Sequence, residues 1–127
     1  MTTEDKYSEW FFQSDYDLET AEYMLNSGRT VYCLFMCHLS LEKALKGLYL
    51  KRLNEIPPKL HDLRYLINKI SLEVSDEHFE FLATINSLSI ATRYPSDLRG
   101  LIAVYSTEQT ASILQQTKIV QQWIKQQ

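Results

Sequence analysis

Helix-breaking residues are scarce: three glycines and three prolines in 127 residues. That scarcity excludes a turn-rich β architecture and favours long helices. Cysteine is scarcer still, at Cys33 and Cys37, so no disulfide framework is available. Cys33-x3-Cys37-His38 has a superficial metal look, but a structural zinc site wants four ligands and no second cluster exists. The cysteines are expected as small buried side chains, and no metal or cofactor is expected. Long apolar runs are missing as well. The longest, Val31 to Cys37, is too short to span a bilayer, and the N-terminal MTTEDKYSEW lacks a signal-peptide core. These features predict a cytoplasmic protein with no membrane partner. Nor is there a basic surplus. Thirteen Lys and Arg face sixteen Asp and Glu, for a net charge of −3, so any nucleic-acid contact must come from a local patch. The glycine-rich phosphate loop, the Gly-x-Ser-x-Gly elbow and the His-Glu-x-x-His helix are all absent.

What remains is helical periodicity. Trp10, Phe11, Ser14, Leu18, Ala21, Met24 and Leu25 recur at three- and four-residue steps and predict a first helix from about Thr3 to Asn26, closed by Gly28. The second, about Arg29 to Leu53, carries an apolar stripe of Leu34, Leu41, Leu45 and Leu48. Beside it runs a stripe of small residues: Cys33, Cys37, Ser40, Ala44 and Gly47. Small side chains let another backbone approach, so this helix is expected at the centre. Its polar row is His38, Glu42 and Lys46. The loop NEIPPKL follows, stiffened by Pro57 and Pro58. A short helix opens at His61-Asp62-Leu63 and runs to about Ile70. Ser75-Asp76-Glu77 caps a fourth, Asp76 to about Ala91, with Phe79, Leu82, Ile85, Leu88 and Ser89 inward. ATRYPSD interrupts it at Pro95. Ser106-Thr107-Glu108-Gln109 fits a capping box for the last helix, to about Lys125, with Ala111, Leu114, Ile119, Val120 and Trp123 as core. The expectation is one all-α domain over residues 1–127, an up-and-down bundle of four long helices plus one short helix.

Four ordered pieces resemble the HEPN family of small helical proteins: Asp17-Leu18-Glu19-Thr20-Ala21 with the Gly28 turn; Leu41-Glu42-Lys43-Ala44-Leu45-Lys46; His61-Asp62-Leu63; and Thr92-Arg93-Tyr94-Pro95. Each is weak alone, and their order and separation carry the resemblance. It implies one of two activities. Many HEPN proteins are metal-independent ribonucleases built on arginine, four to six residues, then histidine. Others are small partners of a minimal nucleotidyltransferase in toxin–antitoxin-like pairs. The family is commonly homodimeric, with the site in the dimer groove, and Phe12, Tyr16 and Tyr23 off the main stripe add apolar surface to that expectation.

None of the five arginines has the ribonuclease spacing. The allowed positions after Arg93 hold Leu98, Arg99 and Gly100, and those after Arg29, Arg52, Arg64 and Arg99 hold no histidine either. The resemblance therefore implies nucleotide or partner binding more than cleavage. The alternatives are a ribonuclease with dispersed groups, His61 or His38 standing in, and a purely structural adaptor.

The candidate binding residues are Arg93, Tyr94, Glu42, Lys43, Lys46, His61 and Arg99. A guanidinium forks onto phosphate oxygens, so Arg93 suits a phosphate, with Arg99 as a second cation; read plainly, Arg93 is a charge at a helix end. Tyr94 offers a ring for a base. His61 stands at a helix start, where free amides favour anions. Glu42 and Lys46 form an intrahelical pair, adding about 0.3–0.5 kcal/mol if exposed. If their face lines a groove, Glu42 orients Arg93 and Lys43 or Lys46 holds phosphate.

Overall fold

Thr2 opens the first helix through a reciprocal capping box: its hydroxyl accepts from the Asp5 amide, and the Asp5 carboxylate accepts from the Thr2 amide. In this computed structural model, which describes residues 1–127, α1 spans Thr3–Asn26 and α2 spans Thr30–Leu53. Gly28 takes φ +80° in the turn between them, where a side chain would be strained. Asn54, at φ 53°, ends α2 in the left-handed conformation. The short α3, Leu63–Lys69, starts at Asp62, whose carboxylate accepts from the Arg64 and Tyr65 amides. Ser75 caps α4, Asp76–Arg93. A seven-residue α5, Leu98–Val104, follows, capped by Asp97. Ser106 and Gln109 then form the expected capping box of α6, Thr107–Lys125.

The fold is all-helical, as the periodicity predicts, with two differences in detail. The fourth helix runs two residues further than expected, through Arg93. The stretch after Pro95 forms α5, a second short helix where one was expected. The sequence hides α5 because it has no inward stripe; none of its residues is buried.

The second helix is the axis of the domain. Leu34, Leu41, Leu45 and Leu48 are fully buried, and they join Leu63, Leu66, Leu82, Ile85, Val120 and Ile124 in one apolar core. On the small-residue side α1 lies close. A Cβ built at Gly47 would stand 2.6 Å from the Phe11 ring and 3.1 Å from Trp10 Cβ. One stride along, the Ser14 hydroxyl donates to the Ser40 carbonyl at 2.6 Å, and the Ser40 hydroxyl donates to the Ser14 carbonyl at 2.8 Å. Gln121 of α6 donates to the Ser14 hydroxyl and to Asp15. Three helices are thus pinned by hydrogen bonds inside the bundle, where an unmade bond is costly.

Cys33 and Cys37 are buried and free. The Cys37 thiol is pushed well up by its hydrogen bond with Cys33 and by burial, which makes it an inert core thiol. No group of three or more His, Cys, Asp or Glu residues is arranged to hold a metal. Two expected core positions face outward. Phe79 is 37% exposed, its ring beneath the Arg64 guanidinium, and Phe81 takes the core place instead. Ile119 is 55% exposed, while Ile124 is fully buried. In both cases apolar residues lie on more than one face of the helix, and spacing alone does not choose which face turns inward. No helix is long and apolar enough to cross a membrane.

Candidate functional site

The site is built outward from the polar row of α2. A helix covered on one side only would leave His38, Glu42 and Lys46 in solvent. Here α2 is surrounded, and all three are buried, His38 completely. The Glu42–Lys46 pair, at 3.1 Å, is therefore an interior ion pair rather than a surface one. Lys46 Nζ also lies 5.8 Å from the centre of the Trp10 ring, which helps hold a cation taken out of water.

Two other segments deliver basic side chains to the same carboxylate. The proline loop returns the chain so that His61 precedes α3. That start is fixed to α4, because the Leu63 amide donates to Asn86 Oδ1 at 2.9 Å and Asn86 Nδ2 donates to Asp62 at 3.1 Å. So placed, His61 Nδ1 lies 2.9 Å from Glu42 Oε1. Arg93, in the last turn of α4, reaches the same oxygen at 3.5 Å. Its guanidinium lies over the Phe35 ring, 4.8 Å from the centre, and its Nε is buried without a hydrogen-bond partner.

One carboxylate thus faces two permanent cations, Lys46 and Arg93, and a histidine that is 55% exposed. The cluster keeps a positive excess even with His61 neutral, which favours an incoming anion. Behind it, His38 Nδ1 sits 3.9 Å from Glu42 Oε1, and neither ring nitrogen is hydrogen-bonded. Burial lowers the His38 imidazole to about 4; the Glu42 carboxylate pulls it back up and the Arg93 guanidinium pushes it further down. His38 is therefore neutral at pH 7. It is neither satisfied nor half-buried, unlike the usual interior histidine.

Beside Arg93 opens a groove of about 430 Å³ lined by Thr20, Met24, Tyr32, Phe35, Met36, Thr92, Arg93 and Tyr94. Tyr94 ends α4 and is 81% exposed. Glu42, Lys46, His61 and Arg93 are thus gathered at one place, with Tyr94 next to them. Lys43 points elsewhere and pairs with Asp17 at 2.9 Å. Arg99 stands exposed on α5 and joins none of the ion pairs of the cluster.

The family model of the HEPN domain matches residues 7–127. The chain belongs to the HEPN family. Among solved structures, the crystal structure of TT1696 from Thermus thermophilus is similar to this HEPN chain. The TM-score is 0.81, with 95% of this chain and 97% of that one covered at 19% identity, a likeness of fold. No curated protein sequence matches.

Several residues that shape this HEPN site carry no signal in the sequence. Phe35 and Trp10 read as ordinary apolar positions, yet each ring supports a cation of the cluster. Asn86 positions His61 from a helix with no motif. Phe35 is the one that was findable. It lies three residues before His38, in line with the polar row of α2 and away from the small-residue stripe.

Proposed function

We propose that this HEPN protein is a non-catalytic nucleotide-binding module that works as a homodimer beside a minimal nucleotidyltransferase, in a toxin–antitoxin-like pair. The observation that carries the reading is the setting of Arg93. Its guanidinium is held between the Phe35 ring and Glu42 at the edge of a groove that also presents Tyr32 and Tyr94. A fixed guanidinium takes a phosphate, and flanking aromatic rings take a base. No arginine has the local histidine of the ribonuclease pattern, which supports binding over cleavage.

The homodimer reading draws on the surface next to the groove. Ile90, Tyr94, Leu98, Ile102 and Val104 are all exposed, Ile90 at 73%. Ile90, Tyr94 and Val104 border one cleft, and Leu98 and Ile102 another; exposed apolar residues gathered about one segment are characteristic of an interface, and a second copy covering them would close the open side of the groove. Calorimetry against ATP, GTP and short RNA tests the binding. Arg93→Ala is expected to weaken it at least tenfold, and unchanged affinity overturns the site. Sedimentation at micromolar concentration tests the dimer, and a monomer there removes it.

A second reading, a metal-independent ribonuclease, is favoured by one observation: His61 and Arg93 meet at the same oxygen of Glu42. This supplies through space the pair that is missing along the chain. His61 would move a proton at the ribose 2′-hydroxyl while Arg93 steadies the phosphate. Cleavage of unstructured RNA in EDTA, lost in Arg93→Ala and His61→Ala, would promote it. No products would retire it.

A further inference from the structure

The outer face of α1 carries an aromatic stripe that nothing in the chain covers. Phe12, Tyr16 and Tyr23 are 62%, 65% and 64% exposed. At 100° per residue they fall within a narrow sector opposite Ser14, Asp17 and Ala21, the buried residues of the helix. The stripe is straight and about 16 Å long. Large exposed rings set in a row are not needed to fold α1, whose inner side already packs on α2 and α6. Such a row marks a contact surface.

The charge around the stripe says what kind of contact. Lys6 is the only base on α1. Asp15, Asp17 and Glu22 are matched inside the chain by Lys125, Lys43 and Lys118. Glu4, Asp5, Glu9 and Glu19 have no ion pair. Asp5 is occupied in the helix cap. Glu9 accepts a hydrogen bond from the neutral Gln13 amide, so its charge, like that of Glu19, is unmatched, and by helical geometry the two flank the aromatic stripe on its two sides. This border repels phosphate, so it excludes nucleic acid and an anionic membrane. It also disfavours a second copy of the same helix, which would bring the same carboxylates face to face.

We infer that the Phe12–Tyr16–Tyr23 face of α1 docks a partner protein through a cationic amphipathic helix, whose apolar side lies on the rings and whose lysines or arginines reach Glu9 and Glu19. Helix-on-stripe recognition needs apolar anchors at helical spacing with charges alongside, and both are present, the rings at steps of four and seven residues. This surface is distinct from the Arg93 groove and does not depend on a nucleotide.

The test uses the full chain and a fluorescent amphipathic peptide of leucine and lysine, read by anisotropy, with a glutamate-for-lysine peptide as control. The lysine peptide is expected to bind and the glutamate peptide not. Glu9→Lys with Glu19→Lys, and separately Phe12→Ser with Tyr16→Ser, should each weaken binding at least tenfold, with helix content by circular dichroism unchanged. Absent binding of the lysine peptide, equal binding of both peptides, or unchanged affinity in either variant overturns the inference. So does conversion of a dimer to a monomer by Phe12→Ser with Tyr16→Ser, which would make the face a contact between copies of this chain.

Discussion

His38 stands 3.9 Å behind the Glu42 carboxylate, fully buried, with no hydrogen bond at either ring nitrogen. Burial holds its imidazole neutral down to about pH 4, against 6.5 in the unfolded chain. Between those values the unfolded state binds the extra proton, so stability rises with pH across this window and levels off above it. Going from pH 7 to pH 4 should cost about 3 kcal/mol through this residue. Urea denaturation from pH 4 to pH 7 measures it. His38→Leu should flatten that part of the pH dependence, and an unchanged slope would mean another group is responsible.

Glu42 compensates cations that have left water. Replacing it by glutamine leaves Lys46, 3.1 Å away and nearly sealed, without its counter-charge. Removing one member of a buried pair costs about 3–5 kcal/mol. Glu42→Gln should therefore lower the urea midpoint strongly, and Lys46→Met in the same chain should recover part of the loss. A loss below about 1 kcal/mol would show a pair as weak as those on surfaces.

Gly47 is a packing glycine. Alanine gains about 1 kcal/mol in a helix interior, but its methyl meets the Phe11 ring at 2.6 Å. Overpacking costs about 1–3 kcal/mol, so Gly47→Ala should be destabilising on balance. Phe11→Leu added to it should cost less than Phe11→Leu alone. Additive effects in that double-mutant cycle would place the strain elsewhere.

Ser14 serves two partners at once, donating to the Ser40 carbonyl and accepting from Gln121. Ser14→Ala removes both bonds inside the bundle, at about 0.5–1.5 kcal/mol for each, while Gln121 keeps its bond to Asp15. Thermal melts should show a clear drop in Tm, and an unchanged Tm would show that these bonds contribute nothing net.

The backbone plan was readable in the sequence because it rests on local rules. Gly28, Asp62, Ser75 and the Ser106–Gln109 pair mark helix ends through bonds made within a few residues. The small stripe through Ser40 and Gly47 announced the close approach of a neighbour. The site was only half readable. Arg93, Glu42, Lys46 and His61 could be named one by one. That three of them meet on one carboxylate depends on how far the proline loop folds back and where α4 stops. The burial of the His38–Glu42–Lys46 row depends on α2 being enclosed, and the same row on a peripheral helix would be solvated. Phe79 and Ile119 show the limit of periodicity, since a rival apolar residue lies within a few positions of each.

The seven residues of α5 bury none of their side chains, yet they lie across the start of α2, where Leu98 and Ile102 border a small cleft with Tyr32. A helix of two turns without a core of its own has little to keep it wound. Its amide hydrogens should exchange with solvent orders of magnitude sooner than those of α2. Anything that settles on Tyr94 and Ile102 would slow them. The rate at which this one segment takes up deuterium therefore reports directly on occupancy of the neighbouring groove.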